Sequence, residues 1–447
     1  MASSSRGHFS SRIGFIMAAA GSAVGLGNVW GFPTKAADNG GAAFLVIYLV
    51  MVFLLAYPML VAELTIGRYG QSNPISSIRS IWKSNRFAAG SFGFIGLLTA
   101  AFILSFYAII AGWLMGYAVA PILQSMGMET VADWLVNFGD SRNIVLALLF
   151  GLVTIFVVQK GVADGIEKWS TRLMPMLFVL FAVMIIYIFT QDGAMEGLKM
   201  YLVPDLSHIN GGLLVDAMGQ AFFSLSLGCC SMMVYGSYLK KDVNLPKTAA
   251  QVATIDTGVA FCAGLLILPA MFVAKNHGVE IFTKTGELKS SADLVFTVLP
   301  SMFETMGGIG IALSFCFFVL MVIAALTSSI SMLEVPVAAA QDELKWERHV
   351  ATWVIGGLIL IASVIISLHF GTLFGIVVDA TTVYMQPLLG AVWAVVVGWI
   401  WKRNKLLEEL KQGNPEIESS LFWRIWPWYV KFICPVAILM VFAYPHF

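Results

Sequence analysis

Two glycine- and serine-rich stretches hold most of the chemistry this sequence can do. The first is Gly21-Ser22-Ala23-Val24-Gly25-Leu26-Gly27-Asn28 and the second is Ser224-Leu225-Ser226-Leu227-Gly228-Cys229-Cys230-Ser231. Each lies in the middle of a long apolar run. Inside hydrocarbon every backbone N–H and C=O needs a partner, so a glycine-rich break there is costly unless it lines a protein cavity. Carbonyls freed by such a break suit a hard cation, which favours oxygen ligands. The N-terminus of a half-helix suits an anionic group. The same residues also read as packing motifs, Gly21-x-x-x-Gly25 and Gly27-x-x-x-Gly31, which let helices approach closely. Packing alone does not need the polar atoms of Ser22, Asn28, Ser224 and Ser226, and these tip the reading toward a cation cage. Asp256 adds a carboxylate within an apolar stretch, in Thr254-Ile255-Asp256-Thr257. A charge at mid-bilayer costs about 2.5–3.5 kcal/mol on insertion scales, so a functional role is expected of it. The bland alternative is a carboxylate near an interface, bonded to a hydroxyl.

Other chemistries find no support. No Gly-x-Ser-x-Gly, His-Glu-x-x-His or paired catalytic aspartates occur in the apolar runs, so an intramembrane enzyme is not expected. The run from Gly25 to Gly31 departs from G-x-G-x-x-G and follows no strand, which excludes a dinucleotide site. Cys229, Cys230, Cys262, Cys316 and Cys434 all sit in apolar runs without metal spacing and read as free thiols. His349 and His369 look like helix-end residues. With 26 basic and 26 acidic residues, the chain has no electrostatic case for nucleic acid.

The elements that must position these residues are membrane helices. Hydrophobic residues make up 59% of the 447 and charged residues 12%, against about 25% charged in soluble domains. A spanning helix needs about 17–25 mostly apolar residues. Eleven long runs lack Lys, Arg, Asp and Glu: 13–34, 39–62, 87–128, 143–159, 173–191, 217–239, 257–274, 305–333, 349–378, 380–401 and 432–447. One helix is assigned to each. The third is a single tilted helix, the ninth ends near Leu368, and the last borrows from Trp426 to Val430. Placing the N-terminus inside puts most Lys and Arg in cytoplasmic segments and leaves the C-terminus outside. The polar start, Met1 to Ser11, lacks signal-peptide character. Loops 124–142, 192–212 and 275–304 fall outside, and Ser290 to Met306 is expected to hold a short helical hairpin. The chain then divides into a cytoplasmic tail (1–11), a first five-helix set (12–191), a second (192–401), and a cytoplasmic loop with the eleventh helix (402–447). Breaks in helices 1 and 6 occupy matching positions of the two sets, as in inverted-repeat transporters.

The sequence resembles the neurotransmitter:sodium symporter family, with its leucine-transporter fold, from Arg12 to about Trp401. The resemblance is carried by Ser11-Arg12-Ile13-Gly14-Phe15, the stretch from Gly21 to Trp30, Asp38-Asn39-Gly40-Gly41 and Glu63-Leu64-Thr65-Ile66-Gly67-Arg68. It continues in Gln220 to Gly228 and in Thr327-Ser328-Ser329-Ile330-Ser331-Met332. It implies an all-α membrane protein of 11 transmembrane helices, in two inverted five-helix repeats with helices 1 and 6 broken, as in bacterial members. Two sodium sites are implied. One uses Ala23, Asn28, Ser224 and Asp256 together with the substrate carboxylate; the other uses Gly21, Val24, Ala324, Thr327 and Ser328. The implied amino-acid pocket has Gly27 N–H and the Tyr107 hydroxyl at the carboxylate, with Leu26 beside them. Ser22, Ala23, Ser224 and Ser226 would stand at the ammonium, with Ile103, Phe223, Cys229, Ser328 and Met332 around the side chain. Phe223 would cover the occupied pocket.

Further expectations follow from the resemblance. Asp256 stands where some relatives have a neutral amide and need chloride, so chloride-independent transport is expected. Protonation of Asp256 after ion release is a route to proton counter-transport. Glu63 is expected to satisfy N–H groups of the helix 6 break, the alternative being an interfacial charge near Arg68. Arg6, Phe9 and Asp342 occupy the cytoplasmic gate positions, with Phe9 in place of the usual tryptophan. Gly31 replaces the usual arginine, so the outer salt bridge to an acid near Asp379 cannot form through it, and closure falls to Tyr107, Phe223 and Trp30. Gly25 replaces the aspartate of amine carriers, which points to a substrate that brings its own carboxylate. The function implied is sodium-coupled symport of a small neutral amino acid across the cytoplasmic membrane. The alternative in the same fold is a sodium-dependent sensor that binds without net transport. Amino acid and lipid bilayer are the partners implied, and oligomeric state is left open.

Overall fold

Several helices start where a side chain can take up an amide group that has no partner within the first turn. Ser11 accepts from Gly14 N at 2.9 Å. Asn85 accepts from Ala88 N at 3.0 Å, Asn210 from Leu213 N at 2.9 Å and Asn244 from Lys247 N at 3.1 Å. In a low-dielectric setting such caps replace the water that would otherwise solvate a helix end. The structure, a computed structural model, describes residues 7–205, 207, 209–281 and 294–443.

Every element among the described residues is helical. A first helix, α1 (Arg12–Ala23), meets α2 (Gly27–Asp38) at a bend of 55°. There follow α3 (Ala42–Gly70), α4 (Arg86–Ser125), α5 (Asp140–Val158) and α6 (Val162–Ile188). Two short helices, α7 (Gly211–Ser224) and α8 (Ser231–Ser237), flank a non-helical stretch. The chain continues through α9 (Leu245–Asn276), α10 (Gly307–Glu343), α11 (Arg348–Leu368), α12 (Phe370–Ile400) and α13 (Leu421–Ala443). Nine of these helices are long and apolar enough to cross a membrane, and the α1–α2 pair brings the number to ten among the described residues. The protein is a multi-pass membrane protein. The α7–α8 pair corresponds to the expected sixth crossing, but neither half is long enough to span by itself.

Most run boundaries agree with the charge-free stretches. The third run is one 40-residue helix and the ninth ends at Leu368. The last helix reaches back further than expected, to Leu421. Two differences have physical causes. The expected break from Gly21 to Asn28 is narrower: helix continues through Ala23 and only Val24 and Gly25 fall outside helical geometry. Small residues let α1 pack tightly right up to the bend, and a Cβ on Gly21 would already lie 3.1 Å from Thr327 Cβ. In place of the expected hairpin, the described part of Ser290 to Met306 is one short helix, Leu294–Thr305; Ser290 itself lies outside the described residues.

The core is centred on α4 and α10, whose mutual contact is the most extensive in the fold. Helices α5 and α11 pack against both, and α1, α6 and α8 pack against α10. The loop from 402 is fastened through a buried ion pair, Arg68 Nε to Glu409 Oε1 at 2.7 Å. Lys241 Nζ lies 3.0 Å from the other oxygen of Glu409.

Candidate functional site

The broken backbone can be followed atom by atom. At the α1–α2 bend, the Ser22 carbonyl accepts from Ser226 Oγ at 3.0 Å and Ser328 Oγ at 3.2 Å. Ser328 Oγ also lies 3.0 Å from the Val24 carbonyl. Gly25 N donates to Asn28 Oδ1 at 3.1 Å, and Leu26 N donates to the Tyr107 hydroxyl at 3.3 Å. A Cβ on Gly25 would stand 2.6 Å from Ser328 Oγ and 3.1 Å from the Tyr107 oxygen, so a side chain there would displace the Ser328 hydroxyl.

Between α7 and α8 the chain leaves helical geometry from Leu225 to Cys230, with φ of 52° at Ser226, 86° at Gly228 and 66° at Cys230. Positive φ at two non-glycine residues is strain of the kind that clusters at functional sites. Glu63 braces this stretch. It is fully buried, and its Oε1 accepts from Gly228 N at 2.7 Å. The alternative of a charge beside Arg68 is ruled out, because Arg68 is committed to Glu409. Gln386 on α12 braces the other side, donating from Nε2 to the Leu227 carbonyl at 2.7 Å. Glycine is required at 228, since a Cβ would lie 2.1 Å from the Gln386 carbonyl oxygen.

The two breaks face one another across a polar cluster. Asn28 Nδ2 reaches Ser224 Oγ at 2.8 Å, Asp256 Oδ1 at 2.7 Å and the Asp256 carbonyl at 3.2 Å. Ser224 Oγ donates to Asp256 Oδ2 at 2.8 Å and lies 3.3 Å from the Tyr48 hydroxyl. All these residues are buried. Three of the four residues expected at the first cation site are thus within hydrogen-bonding distance of one another, drawn from α2, α7 and α9. The set expected at the second site meets at the α1–α10 contact. There a Cβ on Gly21 would lie 3.1 Å from Thr327 Cβ and Ser328 Oγ donates to the Val24 carbonyl at 3.0 Å, while Thr327 Oγ1 donates to the Ala324 carbonyl within α10 at 3.1 Å.

A small, partly open cavity of ≈ 30 Å³ adjoins both breaks. It is lined by Ala23, Leu26, Gly27, Ile103, Tyr107, Phe223, Ser224, Ser226, Cys229, Ser328 and Met332, together with Gly25 and Gln386. Every expected substrate residue is there except Ser22. The Ser22 hydroxyl is turned toward α10 and donates to Ser331 Oγ at 2.7 Å, so only its carbonyl, which accepts from Ser226, points toward the break. The hydroxyl–hydroxyl pair satisfies both buried groups where α1 and α10 pack. Gln386 was not foreseen, because a lone glutamine in an apolar run carries no spacing signal. A larger cavity of ≈ 480 Å³, between Tyr117–Ser125 and the start of α10, contains none of the broken backbone.

The flanks of the site are closed by rings. Phe223 lies against Gly27, 3.0 Å from where a Cβ there would stand, and keeps 38% of its surface exposed. Trp30 meets Phe296 edge-on at 5.6 Å, and Phe296 in turn lies 5.1 Å from the Tyr117 ring. At Gly31 no arginine is available and Asp379 is exposed. The ion pair near this position is Lys35 with Asp216, at 3.5 Å and largely solvated. On the opposite flank Phe9 is buried edge-on against Phe15, Tyr235 and Tyr238, at 5.2, 5.7 and 6.3 Å. Glu167, unremarked in the sequence, holds the adjoining tail: it accepts from Ser10 N at 2.6 Å and Ser11 Oγ at 2.9 Å. Asp342 accepts from Asn73 N at 2.7 Å and Ser72 Oγ at 3.0 Å. Arg6 lies outside the described residues.

Comparison with known proteins places this geometry. The model of the sodium:neurotransmitter symporter family matches residues 6–137 and 131–446. The sodium-dependent transporter YhdH of Bacillus subtilis is 34% identical, over 97% of this chain and 96% of its own. A sodium-dependent transporter of Haemophilus influenzae is 32% identical, over 97% of each. The crystal structure of MhsT in complex with L-phenylalanine superposes with a TM-score of 0.82 at 36% identity, covering 98% of this chain and 99% of that one.

Proposed function

Since the chain belongs to the sodium:neurotransmitter symporter family, and is therefore a sodium-dependent membrane transporter, we propose that it carries a small neutral amino acid into the cell with sodium. The observation that carries this reading is the meeting of two interrupted helices, with the Asn28–Ser224–Asp256 cluster, at one small cavity. Sodium at the first site takes oxygen from Ala23, Asn28, Ser224 and Asp256 and from the substrate carboxylate. Sodium at the second takes it from Gly21, Val24, Ala324, Thr327 and Ser328. Gly27 at the start of α2 offers the helix N-terminus to the carboxylate, and the Tyr107 hydroxyl, 3.3 Å from Leu26 N, stands beside it. The L-phenylalanine bound by MhsT supports an amino-acid substrate. The absence of a side chain at Gly25 supports one that brings its own carboxylate. Asp256 supplies the fixed negative charge, so chloride is not required.

In this reading α7 and α8 form the sixth of eleven crossings. Residues 12–191 and 192–401 are inverted repeats, the N-terminus is cytoplasmic and the C-terminus extracellular. Sodium orders the two breaks and occludes the substrate beneath Phe223. Inward opening, released at Phe9, Asp342 and Arg6, lets both go. Uptake into proteoliposomes of the twenty amino acids, in sodium and in potassium, tests the proposal. At least one small neutral amino acid should accumulate only in sodium. Binding without counterflow would reassign the chain as a sensor, and no sodium response from any amino acid would refute the reading.

A further inference from the structure

Gln386 on α12 is 2% exposed and lines the same cavity as Tyr107, Ser226 and Cys229. Its polar neighbours are committed. The Tyr107 hydroxyl accepts from Leu26 N, Ser226 Oγ donates to the Ser22 carbonyl, Ser328 Oγ reaches the Ser22 and Val24 carbonyls, and Cys229 Sγ lies 3.0 Å from the Ser226 carbonyl. Gln386 spends its Nε2 on the Leu227 carbonyl at 2.7 Å. That bond fixes the amide orientation, because a flip would set two carbonyl oxygens against each other. Its Oε1 then has no partner among the described residues and is closed off from solvent. A buried acceptor left unsatisfied is penalised, and a site holding one discriminates in favour of whatever supplies the missing donor.

We infer that Gln386 Oε1 is a specificity-determining acceptor, and that the preferred substrate is a neutral amino acid whose side chain carries a hydroxyl or amide donor. This deepens the amino-acid reading of the cavity and rests on it. Nε2 fixes the helix break while Oε1 reads the substrate, so one side chain links the unwound segment of the sixth crossing to side-chain recognition.

Competition in sodium by near-isosteric pairs tests it: threonine against valine, serine against alanine, asparagine against leucine, on purified wild-type protein and on Gln386→Met and Gln386→Glu. The donor-bearing member should compete about 10- to 100-fold better in the wild type. Gln386→Met removes both Nε2 and Oε1, so it should weaken both members through the unpaired Leu227 carbonyl and, beyond that shared loss, bring the ratio close to one; Gln386→Glu, which keeps an acceptor but also loses the donor, should show the shared loss and keep the preference. Equal competition within pairs by the wild type overturns the assignment, even where a variant does not fold. Equal loss of both members in Gln386→Met also overturns it, as the mark of a purely structural brace. No sodium-dependent response to any amino acid overturns the transport reading as well, whereas a sodium response without pair discrimination overturns this assignment alone.

Discussion

Replacing Glu63 separates a brace from a bystander. The carboxylate is fully buried, and its Oε1 holds Gly228 N at 2.7 Å in the middle of the non-helical stretch. In Glu63→Leu that amide loses its acceptor inside a protein interior where water cannot replace it. Leaving one buried group unpaired costs about 1–3 kcal/mol, which corresponds to roughly 5- to 150-fold in an equilibrium constant. The cost falls on the conformation in which residues 225–230 are ordered, which the proposed function makes the one competent to bind. Substrate affinity measured in sodium should therefore fall by about that factor. Glu63→Gln keeps an oxygen for Gly228 and should retain most of the affinity. Scintillation proximity binding with a responsive amino acid, at fixed sodium, reads both variants. Indistinguishable losses in the two, or wild-type affinity in Glu63→Leu, would refute the reasoning.

Other perturbations have definite outcomes. Wild-type uptake should be unchanged when gluconate replaces chloride, and Asp256→Asn, which removes the carboxylate 2.7 Å from Asn28 Nδ2, should weaken sodium activation and make residual uptake chloride-dependent. Gly228→Ala places a Cβ 2.1 Å from a backbone oxygen at a φ of 86°; at about 1–3 kcal/mol for the backbone conformation alone, sodium-dependent thermal stabilisation should be lost. Arg68→Leu leaves Glu409, 2% exposed, with only the partly solvated Lys241. Up to about 3–5 kcal/mol of stability should go, seen as a lowered melting temperature in detergent, with sodium-dependent substrate affinity of the folded fraction unaltered.

Much of this architecture could be read from charge-free runs, because hydrocarbon imposes a length and forbids unpaired charge. The breaks were legible for a related reason: glycine and serine at mid-run have no purpose in a lipid-facing helix. Glu63 and Asp256 stood out as acids in apolar surroundings, and the structure sets Glu63 against the sixth-helix break. What stayed hidden depended on distant pairings. The turn of Ser22 toward Ser331 joins residues 309 apart, and the Gln386–Leu227 bond spans 159. Likewise, nothing near Glu167 in the sequence announces that it will hold Ser10 and Ser11. Short polar side chains in apolar helices offer several partners, and only the packing of α1, α10 and α12 chooses among them.

The central claim is that oxygens from two interrupted helices hold sodium beside the substrate. A high-resolution density map of the protein with bound amino acid, determined in sodium and again in potassium, tests it most directly. Two sodium-specific peaks are expected, one among Ala23, Asn28, Ser224 and Asp256, the other among Gly21, Val24, Ala324, Thr327 and Ser328. Continuous helices through Val24–Gly25 and Leu225–Cys230, or sodium density located away from both groups, would contradict it.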